Sequence, residues 1–125
     1  MSFLDQLSPQ DKMRIIQEIV PGKQITLAHI IANPDPILYQ KLGLDPAVDY
    51  GRSAIGIVTM SPAETAIVAA DVATKAAAIE LGFVDRFSGT LIITGSVSAV
   101  ESALKALVDY AQEMLHFAVC PVTRT

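Results

Sequence analysis

Cysteine is nearly absent. Cys120 is the only one in 125 residues, so no disulfide can close within the chain, which fits a reducing cytoplasm. Charge is scarce too: 18% of residues are charged, against about a quarter in a typical domain. That leaves less surface suited to water than a monomer of this size needs, and predicts an oligomer. Positive charge is nowhere clustered and the net charge is −4, so nucleic acid is not an expected partner. No apolar run approaches the ~20 residues that span a bilayer. The opening MSFLDQLSPQDK also lacks the charged start and apolar core of a signal peptide. No membrane partner is expected, and the length suits one domain.

What is abundant is alanine, concentrated between Ser61 and Glu80. Ser61-Pro62-Ala63-Glu64 reads as a capping box: Ser61 accepts from the amide three residues on, and Glu64 reaches back to the Ser61 amide. Pro62 suits a first helical position. Ala63, Ala66, Ala69, Ala70, Ala73, Ala76, Ala77 and Ala78 follow, with only Glu64, Asp71, Lys75 and Glu80 charged. Alanine has the best intrinsic helix propensity, and its small side chain lets other backbones approach. A helix this poor in charge is expected to be covered on most of its surface, by neighbouring copies of the chain.

Around that helix the chain reads as follows. Residues 2 to 12 are a polar arm. Arg14 to Val20, RIIQEIV, is a short strand ended by Pro21-Gly22. Ile15, Gln17 and Ile19 fall on one face and Ile16, Glu18 and Val20 on the other, so it needs partners outside the core sheet. Lys23 to Ala32 is a second strand with Ile25, Leu27, His29 and Ile31 on one face. Asn33-Pro34-Asp35-Pro36 starts a short helix to about Leu42, closed by Gly43. Residues 45 to 53 form a loop like a splice between two structural units. Ala54 to Met60 is a buried strand, in which Gly56 implies a close approach. Gly82 to Asp85 and Thr90 to Thr94 make a hairpin around Arg86-Phe87-Ser88-Gly89. A second helix starts with a capping box at Ser98 and Glu101 and carries Val100, Leu104, Leu107, Val108, Ala111 and Leu115 at helical spacing. A last strand covers Phe117 to Val122. Strand, helix, strand, strand, helix, strand is the order of an α+β, ferredoxin-like antiparallel sheet with helices on one face. The part before Ala54 looks as if moved from the other end of the chain.

No constellation in this sequence performs catalysis. His29 has no second ligand at metal spacing and reads as a packed or interface histidine. His116 ends a helix, where a cation favours the dipole. Cys120 reads as a small hydrophobe. Asp85-Arg86 reads as a solvated pair in a turn, and Gly95 to Ser98 as a helix cap. No cofactor and no metal are expected. Lys75 is the lone cation in the latter half of the alanine helix. It is either a solvated lysine near a helix C-terminus or an edge lysine whose stem lies along a neighbouring subunit.

The segments VPGKQITLAHIIANP (20 to 34), AIGIVTMSPAETAIVAADVATKAA (54 to 77), GFVDRFSGTLIITGSVSAVESAL (82 to 104) and CPVTRT (120 to 125) resemble bacterial microcompartment shell proteins. The likeness is to the circularly permuted hexameric type of ethanolamine, propanediol and choline utilisation compartments. It implies a non-enzymatic homohexamer tiling with other shell proteins around encapsulated enzymes, in a cytoplasmic polyhedral body. It implies that Lys75 sits at contacts between hexamers. The hairpin Asp85, Arg86, Phe87, Ser88, Gly89 matches the loop that approaches the central pore in unpermuted members. Arg14, Ile15, Ile16, Gln17, Glu18, Ile19 and Val20 match the strand that joins its five symmetry copies in a small six-stranded β-barrel over the pore. The implied division is an N-terminal arm and barrel strand, 1–20, and a permuted shell domain, 21–125. The competing reading is an oligomeric ferredoxin-like regulator that binds small molecules between subunits; an enzyme using Cys120 or His29 ranks far below both.

Overall fold

A computed structural model describes residues 23–44 and 53–125. The strand expected at Arg14–Val20, the N-terminal arm and most of the predicted splice loop lie outside the described residues. The elements are β1 (Gln24–Ile31), α1 (Ile37–Lys41), β2 (Ala54–Ser61), α2 (Thr65–Ala76), β3 (Glu80–Asp85), β4 (Thr90–Gly95), α3 (Val97–Glu113) and β5 (Thr123–Arg124). They build one sheet in the order β3-β4-β2-β1-β5. β1 with β2, β2 with β4 and β3 with β4 are antiparallel, whereas β5 runs parallel to β1.

That order explains the displaced N-terminal part. From β2 onward the chain is a split βαβ unit whose fourth strand should lie beside β2, antiparallel to it. β1 occupies that place although it comes first in the chain. The strand expected at Phe117–Val122 therefore does not form. Among the described residues that stretch makes only a bridge between Ala118 and Gln24, and its pairing resumes at Thr123–Arg124 on the outer edge of β1.

Alternation in the central strands separates two cores. Val58 and Met60 of β2 and Leu91 and Ile93 of β4 join Ala66, Ala69, Ala70 and Ala73 of α2 and Val100, Ala103, Leu104, Leu107, Val108 and Ala111 of α3. Ile55 of β2 and Ile92 of β4 point the other way, onto Tyr39 and Leu44. The two long helices thus share one face, as expected, but α1 covers part of the opposite face. Gly56 is crowded from the helix side: a Cβ there would lie 2.8 Å from Val100 Cγ1 and 2.9 Å from Ile93 Cγ1. The close approach predicted at this glycine is thus made by Val100 of α3 together with Ile93 of the neighbouring β4.

Local details depart from the pattern reading in three places. The capping box at Ser61 does not form, because Ser61 ends β2, paired with Gln24. The helix starts at Thr65 with no side-chain cap and ends at Ala76, before Glu80 opens β3. The second helix is capped by Ser96, whose hydroxyl accepts from the Ala99 amide at 3.1 Å, rather than by Ser98. In β1 the register slips between Ile25 and Leu27, a bulge at Thr26. Ile25 consequently faces the helices with Ala28 and Ile30, while Leu27, His29 and Ile31 face away. Gly43, at φ 70°, closes α1 as predicted.

Candidate assembly interface

The outward side of α2 is unusual for an exposed helix. Its fully buried residues are all alanine, with Val72 packed beside them at the margin of the core, and its outer side carries Ile67 and Val68, 52% and 43% exposed. One turn further on, Asp71 and Lys75 are paired at 2.8 Å, the i,i+4 spacing that places both on one stripe. The hydrogen bond from Lys75 and the charge of Asp71 raise the lysine pKa above its ordinary value. Lys75 is therefore fully cationic at neutral pH and lies on the exposed surface. Sequence reasoning singled out Lys75 and missed both its partner, legible from the four-residue spacing, and the two β-branched residues that break the alanine pattern.

The β3–β4 hairpin is built around the Asp85 carboxylate. Asp85 Oδ1 accepts from the Phe87 amide at 2.8 Å and the Ser88 amide at 3.3 Å, and Oδ2 accepts from the Ser88 hydroxyl at 2.8 Å. These bonds, the Phe87 amide first, hold the Asp85 pKa below its ordinary value. Gly89 adopts φ 77°, and a Cβ on it would come 2.1 Å from the Met60 carbonyl oxygen, so only glycine fits. The Met60 amide donates to the Gly89 carbonyl at 2.8 Å, tying the hairpin to the end of β2. The tip this platform presents is Arg86 stacked over Phe87, 5.1 Å from the ring centroid. Phe87 is 83% exposed.

The two features are not one site. Gly89 abuts Ala63, just before α2, while Lys75 is on its last turn, roughly 15 Å beyond its first residue Thr65 at 1.5 Å per residue. His29 is neither buried among apolar groups nor grouped with metal ligands. Its ring nitrogens hydrogen-bond the hydroxyls of Thr123 and Thr125. No cluster of three metal-ligating residues occurs among the described residues.

Residues 54–123 match the model of the BMC domain, more than half of the chain. It belongs to the BMC-domain family of bacterial microcompartment shell proteins. The shell protein PduU of Salmonella typhimurium is 56% identical over 112 residues, covering 90% of this chain and 93% of that protein. EutS of Escherichia coli is 51% identical, covering 92% and 99%. Among solved structures, a CutR flat hexamer superposes with a TM-score of 0.78 at 47% identity, covering 90% of this chain and 99% of its own. A CutR dimer with a domain swap superposes at 0.60 and 44% identity, covering 83% and 100%. Membership in this family makes the BMC chain a structural component of a microcompartment shell rather than a catalyst. It also displaces the ligand-binding regulator weighed from the sequence.

Proposed function

We propose that this BMC chain closes with five further copies into a hexamer, and that the hexamers tile edge to edge into the facets of a shell around enzymes of ethanolamine, propanediol or choline utilisation. The observation that carries this reading is α2. Its outer face exposes Ile67 and Val68 beside a lysine, and apolar exposure of this kind on a compact chain favours a protein partner. The solved hexameric relative supports the ring. In this reading Lys75 lies at the seam between hexamers, with its stem along the neighbour, and the hairpin Asp85–Gly89 approaches the central axis. Residues 1–20 are an arm and a barrel strand, distinct from the shell domain 21–125, and Arg14–Val20 meets its copies over the pore.

Native mass measurement tests the ring: a hexamer at micromolar concentration is expected, and a monomer would sink the reading. Lys75→Ala should leave the hexamer and its thermal stability unchanged while sheets or tubes seen by negative stain weaken or change form. Lys75→Glu should act more strongly. Wild-type assemblies from both variants would return Lys75 to a solvated role, and loss of the hexamer would move it into the ring interface. Deleting residues 1–20 should leave a folded hexamer with an opened centre; failure to fold would assign that strand to the core sheet.

A further inference from the structure

The segment after α3 is attached in a way that the shell role does not explain. α3 ends at Glu113, and three residues later His116 sits at φ 58°, the one positive-φ residue other than glycine among those described. Histidine tolerates this region better than most residues, yet it remains uphill for any side chain with a Cβ. The turn it makes brings the Phe117 amide to the Ala111 carbonyl at 2.9 Å and directs the chain back along β1. The segment then pairs with β1 at two separated points. Ala118 exchanges bonds with Lys23 and Ile25 at 3.0 and 2.8 Å, and Thr125 with Ile30 and Ala32 at 2.9 Å each.

Its last three residues form a clip with two sides. Thr123 and Thr125 put their hydroxyls on the two ring nitrogens of His29, on the sheet face away from the long helices. Arg124, between them in the pleat, belongs to the other face, the side of Glu101 on α3. The Glu101 carboxyl is held below its ordinary pKa chiefly by Lys105 and in smaller part by Arg124. The motif CPVTRT, which the shell role leaves unexplained, thereby fastens a two-residue strand to an edge of β1 that no other strand of the described residues occupies.

We propose that residues 117–125 are an exchangeable strand, with His116 as its hinge and Thr123-Arg124-Thr125 as its clip, and that the partner accepting it is β1 of a second copy of this chain. Each bond the segment makes to its own β1 can be made identically to another copy's, which makes exchange of an identical element an inexpensive route to association. The change is confined to the hinge: extending it gives up the bond from the Phe117 amide to the Ala111 carbonyl and releases His116 from the left-handed region. Short hinges under strain invite such exchange. A CutR relative is a dimer with a domain swap. The inference rests on the tail and its hinge and not on the ring reading.

The test uses Gln24→Cys and Ala118→Cys, which face each other across the bridge, in a Cys120→Ser background of the full chain. After refolding at high protein concentration and oxidation, a denaturing gel separates bonds within a chain from bonds between chains. The parent should give both, with between-chain product rising with concentration. His116→Gly, which removes the left-handed penalty, should cut the between-chain fraction about fivefold, and His116→Val should raise it. His29→Ala weakens the clip equally in both forms. It should leave the fraction unchanged and speed the mixing of tagged and untagged pools. Absence of between-chain product in the parent, or equal fractions in the parent and His116→Gly, overturns the proposal even if His116→Val does not fold.

Discussion

The two long helices lie on the same face of the same sheet and are built on opposite plans. α3 buries Leu104, Leu107, Val100 and Val108, carries a side-chain cap and an exposed ion pair between Lys105 and Glu101, and thus completes itself within the chain. α2 buries only alanines, has no side-chain cap and leaves Ile67 and Val68 in the open. Large buried side chains stabilise the chain that contains them, whereas small ones let neighbouring backbones approach. One helix is completed within the chain, and the other leaves apolar side chains exposed on its outer face.

Four measurements would sharpen or break that contrast. The largest expected effect is Leu104→Ala, which should lower unfolding free energy by about 3 kcal/mol through lost burial and an unfilled cavity, read as a shifted urea midpoint. Next, Ala73→Leu should cost about 2 kcal/mol by overpacking a fully buried site; a neutral result would mean that α2 is not closely seated. Third, Ser96→Ala should cost about 1 kcal/mol as a lost cap, while Ser61→Ala should stay within about 0.5 kcal/mol. Equal losses would restore the capping box at Ser61. The smallest effect is local. The folded-state pKa of Asp85 is lowered, so its contribution is present above the ordinary carboxylate value and is lost as pH falls through the folded value. Asp85→Asn should increase amide exchange at Phe87 and Ser88 at neutral pH and matter little in acid.

Burial was the legible part of this sequence. The apolar runs of β2 and β4 and the helical stripe of α3 follow from hydrophobic period alone, and Gly43 from the need for a left-handed residue. The misreadings arose where two rules competed. Ser61-Pro62-Ala63-Glu64 satisfies the capping pattern, yet its first residue still pairs with Gln24. Phe117–Val122 has the composition of a strand, yet β1 already holds the place beside β2. For the assembly surface, Lys75 stood out because charge is rare around it. Ile67 and Val68 did not, because an apolar residue in an apolar helix is presumed to be inside.

The bulge at Thr26 acts as a parity switch. A regular strand sorts residues by odd and even number, and one extra residue reverses that assignment for everything before it. Ile25 and Ala28, three apart, consequently lie on the same side, a spacing that belongs to helices rather than strands. Were Thr26 paired in regular register instead of bulged, the destinations of Gln24 and Ile25 would exchange and the amide side chain would turn into the core, whereas deleting Thr26 would leave Ile25 opposite Met60. The path of the chain entering the sheet at Lys23 is therefore set by the register of the residues preceding Leu27 as much as by their identity.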